Sequence, residues 1–460
     1  MKHLLFDAAE RAARYRDEVA YRSVVPTTEA LERLDLLNEP LPQRPADAEE
    51  VLQLLDEIGS PTTMASAGGR YFGFVIGSSL PATVAANWLA TAWDQNAGME
   101  VESPIGAALE RVCARWLIEL FSFPPTAGVG FVTGATMANF TGLAAARHAL
   151  LQREGWDVEK DGLFGAPPIH VVVGDEVHVS VLKALSLLGL GRDRVQRVPV
   201  DDQGRMRAEL LSKRAGPTLI CAQAGHVGTG ASDSLSDICA RTRETGAWVH
   251  VDGAFGMWAA AAPGRAHLVH GLSQVDSCAT DCHKWLNVPY DCGLAFVRDE
   301  LHLRAAMSAT AAYLMRGEGR EPDQYVPEMS RRARGVEVWA ALKSLGREGL
   351  ADLIERCCRH ATFFADGLRG AGYEVLNDVV LNQVLVSFGS DQVTRRVIAE
   401  LQRDGTCWCG GTTHQGRAAM RISVSSWATS EDDCKRSLEA MLSIAADVLG
   451  SRDISHQPAG

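Results

Sequence analysis

Two residues of the 460-residue chain, Lys284 and Asp252, have neighbours that could give them a chemical role. Lys284 stands between His283 and Trp285, and a lysine in an apolar setting can serve as an uncharged nucleophile. Asp252 ends a run that should be buried, where a carboxylate is costly unless a cation pairs with it. The alternatives are a solvated lysine and an aspartate satisfied by backbone N–H groups.

Two further apolar runs end in residues that could bind a ligand. Gly134, Ala135 and Thr136 follow one run and open a helix, where backbone N–H groups and the helix dipole can hold a phosphate. A tight strand-to-helix turn is the alternative, and no Walker lysine follows. His178 follows the next run, where an imidazole can stack on a planar ligand or transfer a proton. It could equally lie in a surface loop or cap a helix.

A phosphate cradle, a stacking histidine, a buried carboxylate and an amine are together what pyridoxal 5′-phosphate (PLP) requires. Its aldehyde needs an amine, its ring nitrogen a carboxylate, its phosphate a helix N-terminus and its ring face a packing partner. The sequence therefore predicts a PLP site. Cys278, Cys282 and His283 lack a second ligand pair, so no metal site is predicted.

The elements that position these residues read as an α/β domain. Ligand sites in open α/β sheets lie at the carboxyl ends of the strands. Helical stretches alternate with short apolar runs, which favours a mostly parallel, buried sheet. Strands are predicted at Val129–Thr133, Ile169–Val173, Val195–Val200, Leu219–Ala222, Trp248–Val251 and Leu294–Val297. Helices are predicted at Met137–Leu150, Val181–Leu190 and Leu235–Glu244, and one beginning at Ser103-Pro104.

The regions before and after this domain differ from it in composition and in predicted secondary structure. Residues 1–70 are rich in charge and proline, with helical pieces around Glu29–Leu37 and Ala48–Ile58 but no evident core. The pattern of helical and strand-like stretches beyond Arg334 predicts a small α+β domain. We therefore predict an N-terminal segment at 1–70, a large α/β domain at 71–330 and a small C-terminal domain at 331–460.

Composition excludes several classes of protein. Lys plus Arg number 45 against 57 Asp plus Glu, a net charge of −12, and no long basic run is present, so nucleic-acid binding is not expected. No apolar stretch approaches the length of a membrane span and no signal peptide is evident. Eleven cysteines without regular spacing indicate reduced thiols and a cytoplasmic location.

Three segments in this order resemble the group II PLP-dependent decarboxylases, the family of aromatic amino acid, histidine and glutamate decarboxylases. The resemblance runs from about Tyr71 to Trp427. It rests on His178-Val179-Ser180-Val181-Leu182-Lys183-Ala184, on His250-Val251-Asp252-Gly253-Ala254, and on Ser277, Cys292 and Arg298 spaced around Lys284. One departure is Asp281-Cys282, which replaces the Asn-Pro common before the family's His-Lys pair.

The resemblance implies fold type I, a homodimer with shared active sites, and an N-terminal segment that embraces the partner subunit. It implies decarboxylation of an L-amino acid to the amine and CO₂, with an aromatic substrate as one candidate. It assigns the anchoring amine to Lys284, the ring carboxylate to Asp252 and ring stacking to His178. The remaining cofactor contacts fall on Gly134, Ala135, Thr136, Ala254 and His283.

The family's final proton commonly comes from a tyrosine on a mobile loop, which here corresponds to Thr310–Arg334. We predict Tyr325 as that donor; it could instead only pack beneath the loop, leaving the role to Tyr313, His178 or a water. Other readings stay open. They are a decarboxylating aldehyde synthase, an aminotransferase, a carbon–carbon lyase and a homologue without turnover.

Overall fold

The computed structural model describes residues 1–309 and 319–454, and side chains as far as residue 450. Its strands are β1 (Gly128–Val132), β2 (His170–Gly174), β3 (Gln196–Val198), β4 (Thr218–Gln223), β5 (Trp248–Asp252), β6 (Ser277–Asp281), β7 (Gly293–Val297), β8 (Glu374–Val375), β9 (Gln383–Ser387), β10 (Gly410–His414) and β11 (Arg417–Ser423). Its helices are α1 (Lys2–Glu18), α2 (Thr28–Glu32), α3 (Ala48–Thr62), α4 (Pro81–Trp93), α5 (Pro104–Leu120), α6 (Ala135–Arg153), α7 (Val158–Asp161), α8 (Val179–Leu187), α9 (Leu235–Thr242), α10 (Glu300–Met307), α11 (Gly335–Gly370), α12 (Asp391–Asp404) and α13 (Glu431–Ile454). No helix in these described ranges has the length and apolar content that a membrane span requires.

The chain forms two compact units. The sheet unit comprises Gly77–Ala361 and Asn377–Gln383, and the terminal unit comprises Met1–Ile76, Thr362–Leu376 and the chain from Val384 onward. Both are discontinuous in sequence, and they divide the chain at places other than the predicted boundaries of 70 and 330. The predicted division into three segments remains a proposal about how the chain is organised.

The sheet unit is built on a seven-stranded sheet in the order β1-β7-β6-β5-β4-β2-β3. Only β7 runs antiparallel to its neighbours β1 and β6, and the other pairs are parallel. Strands β1 and β4–β7 are buried at every residue, as in a sheet that is covered on both faces. The predicted α/β class with a mostly parallel mixed sheet is confirmed.

Because β7 alone is reversed, strands β1, β2, β5 and β6 end at the same edge of the sheet. Helix α6 begins there, at Ala135, and lies across the sheet. Gly142 permits the close approach, since a β-carbon at this position would lie 2.9 Å from His250 Cε1 on β5. Helix α5 begins as predicted: Pro104 is its first residue, and the Ser103 hydroxyl accepts a hydrogen bond from Gly106 N at 3.2 Å.

The terminal unit contains a four-stranded sheet in the order β10-β11-β9-β8, and α12 packs on it. The N-terminal segment is attached within this unit. The Arg70 guanidinium donates to Ala20 O at 3.1 Å and to Arg22 O at 2.8 Å, and the Tyr71 ring stacks on Trp408 with centroids 5.1 Å apart. Helices α1 and α2 bury no residue and α3 buries only Ile58.

Candidate active site

A cavity of about 350 Å³ lies at the carboxyl edge of the seven-stranded sheet, the edge that the sequence pattern predicts for a ligand. Its walls come from the β1–α6 turn, the start of α8, the turn after β5 and the segment after β6. The lining residues are Thr133, Gly134, Ala135, Thr136, Met137, His178, Ser180, Ala254, Asp281, His283 and Lys284. Seven predicted site residues are therefore brought together: Gly134, Ala135, Thr136, His178, Ala254, His283 and Lys284.

The eighth, Asp252, lies at the end of β5 with 5% of its surface exposed. Three neutral donors hold its carboxylate. Asn139 Nδ2 and Ser180 Oγ both donate to Oδ2 at 3.1 Å, and Ala254 N donates to Oδ1 at 3.2 Å. Among the described residues no lysine or arginine forms an ion pair with it. A buried carboxylate in such a setting is a binding partner for a ligand cation.

A second row of hydrogen bonds lies behind this carboxylate. Asn139 Oδ1 contacts His250 Nε2 at 2.8 Å, and His250 Nδ1 contacts Ser277 Oγ at 2.8 Å. Trp248 Nε1 donates to the same Ser277 hydroxyl at 2.8 Å. The hydroxyl proton of Ser277 can therefore point at His250 Nδ1. Burial lowers the pKa of His250 to about 4, and the imidazole is neutral at pH 7.

This row of hydrogen bonds fixes the orientation of the Asn139 amide. A neutral His250 that accepts at Nδ1 carries its proton on Nε2 and donates it to Asn139 Oδ1. The Asn139 amide must then present Nδ2 to Asp252, because only the amide nitrogen can donate. His250 and Asp252 are two residues apart on β5, so their side chains point to the same face of the sheet. Asn139 on α6 can therefore reach both.

His178 caps α8. Its Nδ1 accepts from Ser180 N at 3.3 Å and lies 2.7 Å from Ser180 Oγ. The alternative of a helix-capping histidine is thus correct as local structure. The cap also places the ring on the cavity wall, so the capping and ligand-binding interpretations are compatible.

Lys284 and the start of α6 face one another across Asp281. Lys284 Nζ lies 2.9 Å from Asp281 Oδ2, and Ala135 N donates to Asp281 Oδ1 at 2.5 Å. A β-carbon at Gly134 would lie 3.1 Å from His283 Cε1 and 3.2 Å from Asp281 Oδ1, so glycine keeps this cradle open. The N-terminal N–H groups of α6 are therefore placed to receive an anion.

His283 is held in one orientation on the cavity wall. Cys292 N donates to its Nδ1 at 3.2 Å, and its Nε2 faces Asp281 Oδ1 at 3.4 Å. Burial lowers the pKa of His283, although the Asp281 charge opposes the shift. Tyr290, which is 56% exposed, lies against the ring with centroids 4.2 Å apart.

Five residues that the sequence did not single out as site residues complete these networks: Asn139, Ser180, His250, Ser277 and Asp281. Two carried a usable signal. Asn139 lies one helical turn after Ala135, and Ser180 lies two residues after His178 at a helix start. The contact of Asp281 with α6 depends on how closely the helix approaches β6, which no local pattern encodes.

Tyr325 does not lie with the other predicted residues. It ends a short helical turn, Pro322–Tyr325, and is 3% exposed. Its hydroxyl donates to Glu300 Oε2 at 2.7 Å, and the Arg320 guanidinium lies 4.0 Å from its ring centroid. Burial, followed by the Glu300 hydrogen bond, raises its pKa to about 12. These contacts favour the packing alternative; Tyr313 lies outside the described residues.

Replacing Tyr325 by phenylalanine is therefore expected to act on stability. The Glu300 carboxylate loses a donor, so the free energy of unfolding should fall by about 1–3 kcal/mol in denaturant titrations, while turnover is retained. The donor hypothesis predicts the reverse pattern. Amine formation would drop sharply, CO₂ release would persist, and stability would change little.

The site suits PLP on two observations of this structure. Asp252 is a buried carboxylate without a cation among the described residues, which matches a protonated ring nitrogen. Glycine at position 134 leaves space beside the start of a 19-residue helix, whose first N–H groups match an anion; Ala135 N now donates to the Asp281 carboxylate there. Lys284 Nζ lies beside that cradle and can meet an aldehyde.

Comparisons with known proteins agree with this chemistry. The family model described as the pyridoxal-dependent decarboxylase conserved domain matches residues 30–389. An aromatic-L-amino-acid decarboxylase from Bacillus atrophaeus is 24% identical over 97% of this chain and 95% of its own. A phenylacetaldehyde synthase from Petunia hybrida is 27% identical over 73% and 69% of the two chains. An acidic amino acid decarboxylase from Mus musculus is 29% identical over 58% and 50%.

A solved structure gives the fold. Tryptophan decarboxylase from Oryza sativa, crystallised with PLP and tryptamine, superposes with a TM-score of 0.89 at 23% identity over 97% of each chain. The fold is thus that of the PLP-dependent decarboxylases, fold type I.

Proposed function

The chain belongs to the pyridoxal-dependent decarboxylase family and is a PLP-dependent amino acid decarboxylase; on this premise we propose that its substrate is an aromatic L-amino acid and its product the primary amine. The observation that carries the site assignment is the cavity in which Lys284, the α6 cradle and the Asp252 network converge. When bound, the cofactor supplies an aldehyde for the substrate amine and a ring that accepts the electrons left by departing CO₂.

The residues of this chain divide that work. Lys284 Nζ anchors the cofactor. Asp252 holds a proton at the ring nitrogen, and the Asn139–His250 row keeps its carboxylate in an orientation that favours the charged ring. The three groups that donate to Asp252 are uncharged, and so are the hydrogen-bonding groups behind them. The negative charge of Asp252 therefore stays available to the ligand.

The cavity wall orients the rest. His178, fixed by Ser180, covers one ring face, and Ala254 lies beside Asp252. The N–H groups of Ala135 and Thr136 bind the phosphate at the start of α6. His283, neutral through its lowered pKa and held by Cys292 N, keeps Nε2 towards Asp281 and would orient the group bound at Lys284.

An aromatic substrate is favoured by charge and by surface. Lys284 is the one lysine or arginine on the described cavity wall, and Asp281 adds negative charge there, so an acidic substrate side chain would meet repulsion. Tyr290 offers an aromatic surface against His283, and Met137 offers an apolar surface on the cavity wall. The aromatic relatives support the same class.

The test is a product survey. The PLP-loaded protein is incubated with each proteinogenic amino acid and with 2,4-diaminobutyrate, and amine, aldehyde and CO₂ are quantified. We expect one CO₂ and one amine per turnover, fastest with tryptophan, tyrosine or phenylalanine. Preference for glutamate, aspartate or diaminobutyrate would contradict the substrate proposal and leave the decarboxylase assignment intact.

A decarboxylating aldehyde synthase is the second candidate, favoured by the likeness to a phenylacetaldehyde synthase. That reaction consumes O₂ and one water and releases aldehyde, ammonia and hydrogen peroxide together with CO₂. The same survey separates the two functions, because only the synthase depends on oxygen and forms peroxide.

We also propose a homodimer in which the N-terminal helices cover the partner subunit. Their apolar side chains have little of their own to pack on. Exposed ones include Leu31, Leu34, Leu36, Leu37, Leu41, Val51, Leu54 and Leu55. An apolar surface of this extent is typical of an interface, and a two-fold contact buries it on both subunits at once.

Charged substitutions test the interface. Leu36→Glu combined with Leu55→Glu, at residues 61% and 60% exposed, should shift the protein to a monomer in sedimentation velocity and lower its activity. Leu301→Glu is a matched control, since Leu301 is 65% exposed on α10. A fully active monomer, or a double variant that stays dimeric, would contradict the proposal.

A further inference from the structure

Asp281 is the polar residue of the cavity that least resembles a PLP ligand. It ends β6, its residue surface is 3% exposed, and its carboxylate turns into the α6 cradle. A PLP phosphate would carry about −1.5 to −2 charges at neutral pH, judged from other phosphate monoesters. The cradle that should receive this charge therefore already contains a carboxylate.

The first contact of Asp281 occupies the anion site itself. Its Oδ1 accepts from Ala135 N at 2.5 Å, and Ala135 is the first residue of α6. That N–H is one of the few donors a helix start can offer to an anion, because those further along are used within the helix. A bound phosphate would have to share or displace the carboxylate.

The second contact occupies the amine. Asp281 Oδ2 lies 2.9 Å from Lys284 Nζ, in an ion pair whose side chains are 4% and 20% exposed. The carboxylate therefore holds, in an ion pair, the same amine that would have to add to the cofactor aldehyde. One carboxylate thus binds both groups that the cofactor needs.

Nothing else on the described wall offsets the added charge. His283 faces Asp281 with Nε2 at 3.4 Å, but its pKa is lowered by burial and the ring is neutral at pH 7. Lys284 supplies one positive charge against Asp281 and the incoming phosphate together. In a site this buried, charges a few ångströms apart interact far more strongly than in water.

We propose that Asp281 is an electrostatic brake on cofactor loading: its carboxylate competes with the cofactor phosphate for Ala135 N and for Lys284. This inference rests on the proposed location of the cofactor. An amide of the same size would keep the hydrogen bond from Ala135 N, release the Lys284 charge and offer an N–H to the phosphate. Asp281→Asn should therefore bind a phosphorylated ligand more tightly.

The test measures equilibrium binding by calorimetry on the full chain. The probe is 4-deoxypyridoxine 5′-phosphate, which has no aldehyde and forms no covalent bond, and its unphosphorylated parent is the comparison. We expect Asp281→Asn to tighten the phosphorylated probe about tenfold, which corresponds to about 1.4 kcal/mol. The parent compound should bind the variant and the unchanged protein equally.

A matched control removes the same charge nearby. Asp291→Asn acts on a carboxylate that is 44% exposed and paired with Arg334 at 3.0 Å, outside the cradle. Its affinity for the phosphorylated probe should stay at the starting value. Asp281→Ser is a second variant, useful if the amide disturbs folding as judged by thermal unfolding, and it too should bind the phosphorylated probe more tightly.

The outcomes separate two failures. Equal or weaker binding of the phosphorylated probe by both Asp281 variants overturns the brake and leaves the proposed function standing. A phosphorylated probe that binds no better than its parent to any of the proteins would refute the cradle at α6, and with it the proposed site.

Discussion

Replacing Lys284 by alanine should lower turnover by about 10²-fold or more, the scale of loss when a reacting group is no longer held in position. Nζ lies beside the α6 cradle, 2.9 Å from Asp281 Oδ2, and is the one lysine amine on the described cavity wall. On the proposed assignment, its loss leaves the cofactor without a covalent anchor. The measurement is amine formation with saturating PLP, together with the cofactor's absorbance spectrum.

Lys183→Ala is the matched control for this variant. Lys183 lies on α8 near the site but is exposed and does not line the cavity. It should retain both turnover and the spectrum of the unchanged protein. If Lys284→Ala decarboxylates at the normal rate, the anchoring role belongs to another residue.

Replacing Asp252 by asparagine should reduce turnover by about 10²–10³-fold, the scale seen when a group that stabilises developing charge is removed. The carboxylate accepts from Asn139, Ser180 and Ala254, and an amide in its place keeps the shape. It loses the charge that, on the proposed assignment, holds a proton at the ring nitrogen. The loss should fall mainly on kcat rather than on KM, because the interaction strengthens in the transition state.

A cofactor analogue makes this prediction specific. PLP methylated at the ring nitrogen carries a fixed positive charge, so it should restore part of the lost turnover in Asp252→Asn. Asp233→Asn is the control, since Asp233 is a buried aspartate of the same unit whose carboxylate accepts from Met206 N and Gln223 N. That control should alter stability without altering kcat. Normal kcat in Asp252→Asn would refute the role of Asp252.

The sequence predicts those site residues that lie at the ends of strands. Asp252 and His178 follow apolar runs, and such runs form β5 and β2, whose carboxyl ends share an edge. Strand β6 escaped prediction because Ser277–Asp281 has neither an apolar run nor β-branched alternation. It is a strand because it pairs with β5 and β7 in the middle of the sheet.

The second row of the site could not be predicted for a related reason. Asn139 and His250 are 111 residues apart, and their contact depends on the close approach that Gly142 allows between α6 and β5. Helix α1 was not predicted, and none of its residues is buried. Tyr325 was chosen by its position along the chain alone. Its contacts with Glu300 and Arg320 are tertiary contacts, which the local sequence does not reveal.

The most direct test of the account is to trap the cofactor on the chain. The PLP-loaded protein is reduced with borohydride, digested, and its pyridoxyl-bearing peptide identified by mass spectrometry. We predict one adduct per chain, on Lys284 Nζ, formed by the unchanged protein and by Asp252→Asn but not by Lys284→Ala. An adduct mapped to any other lysine would contradict the account.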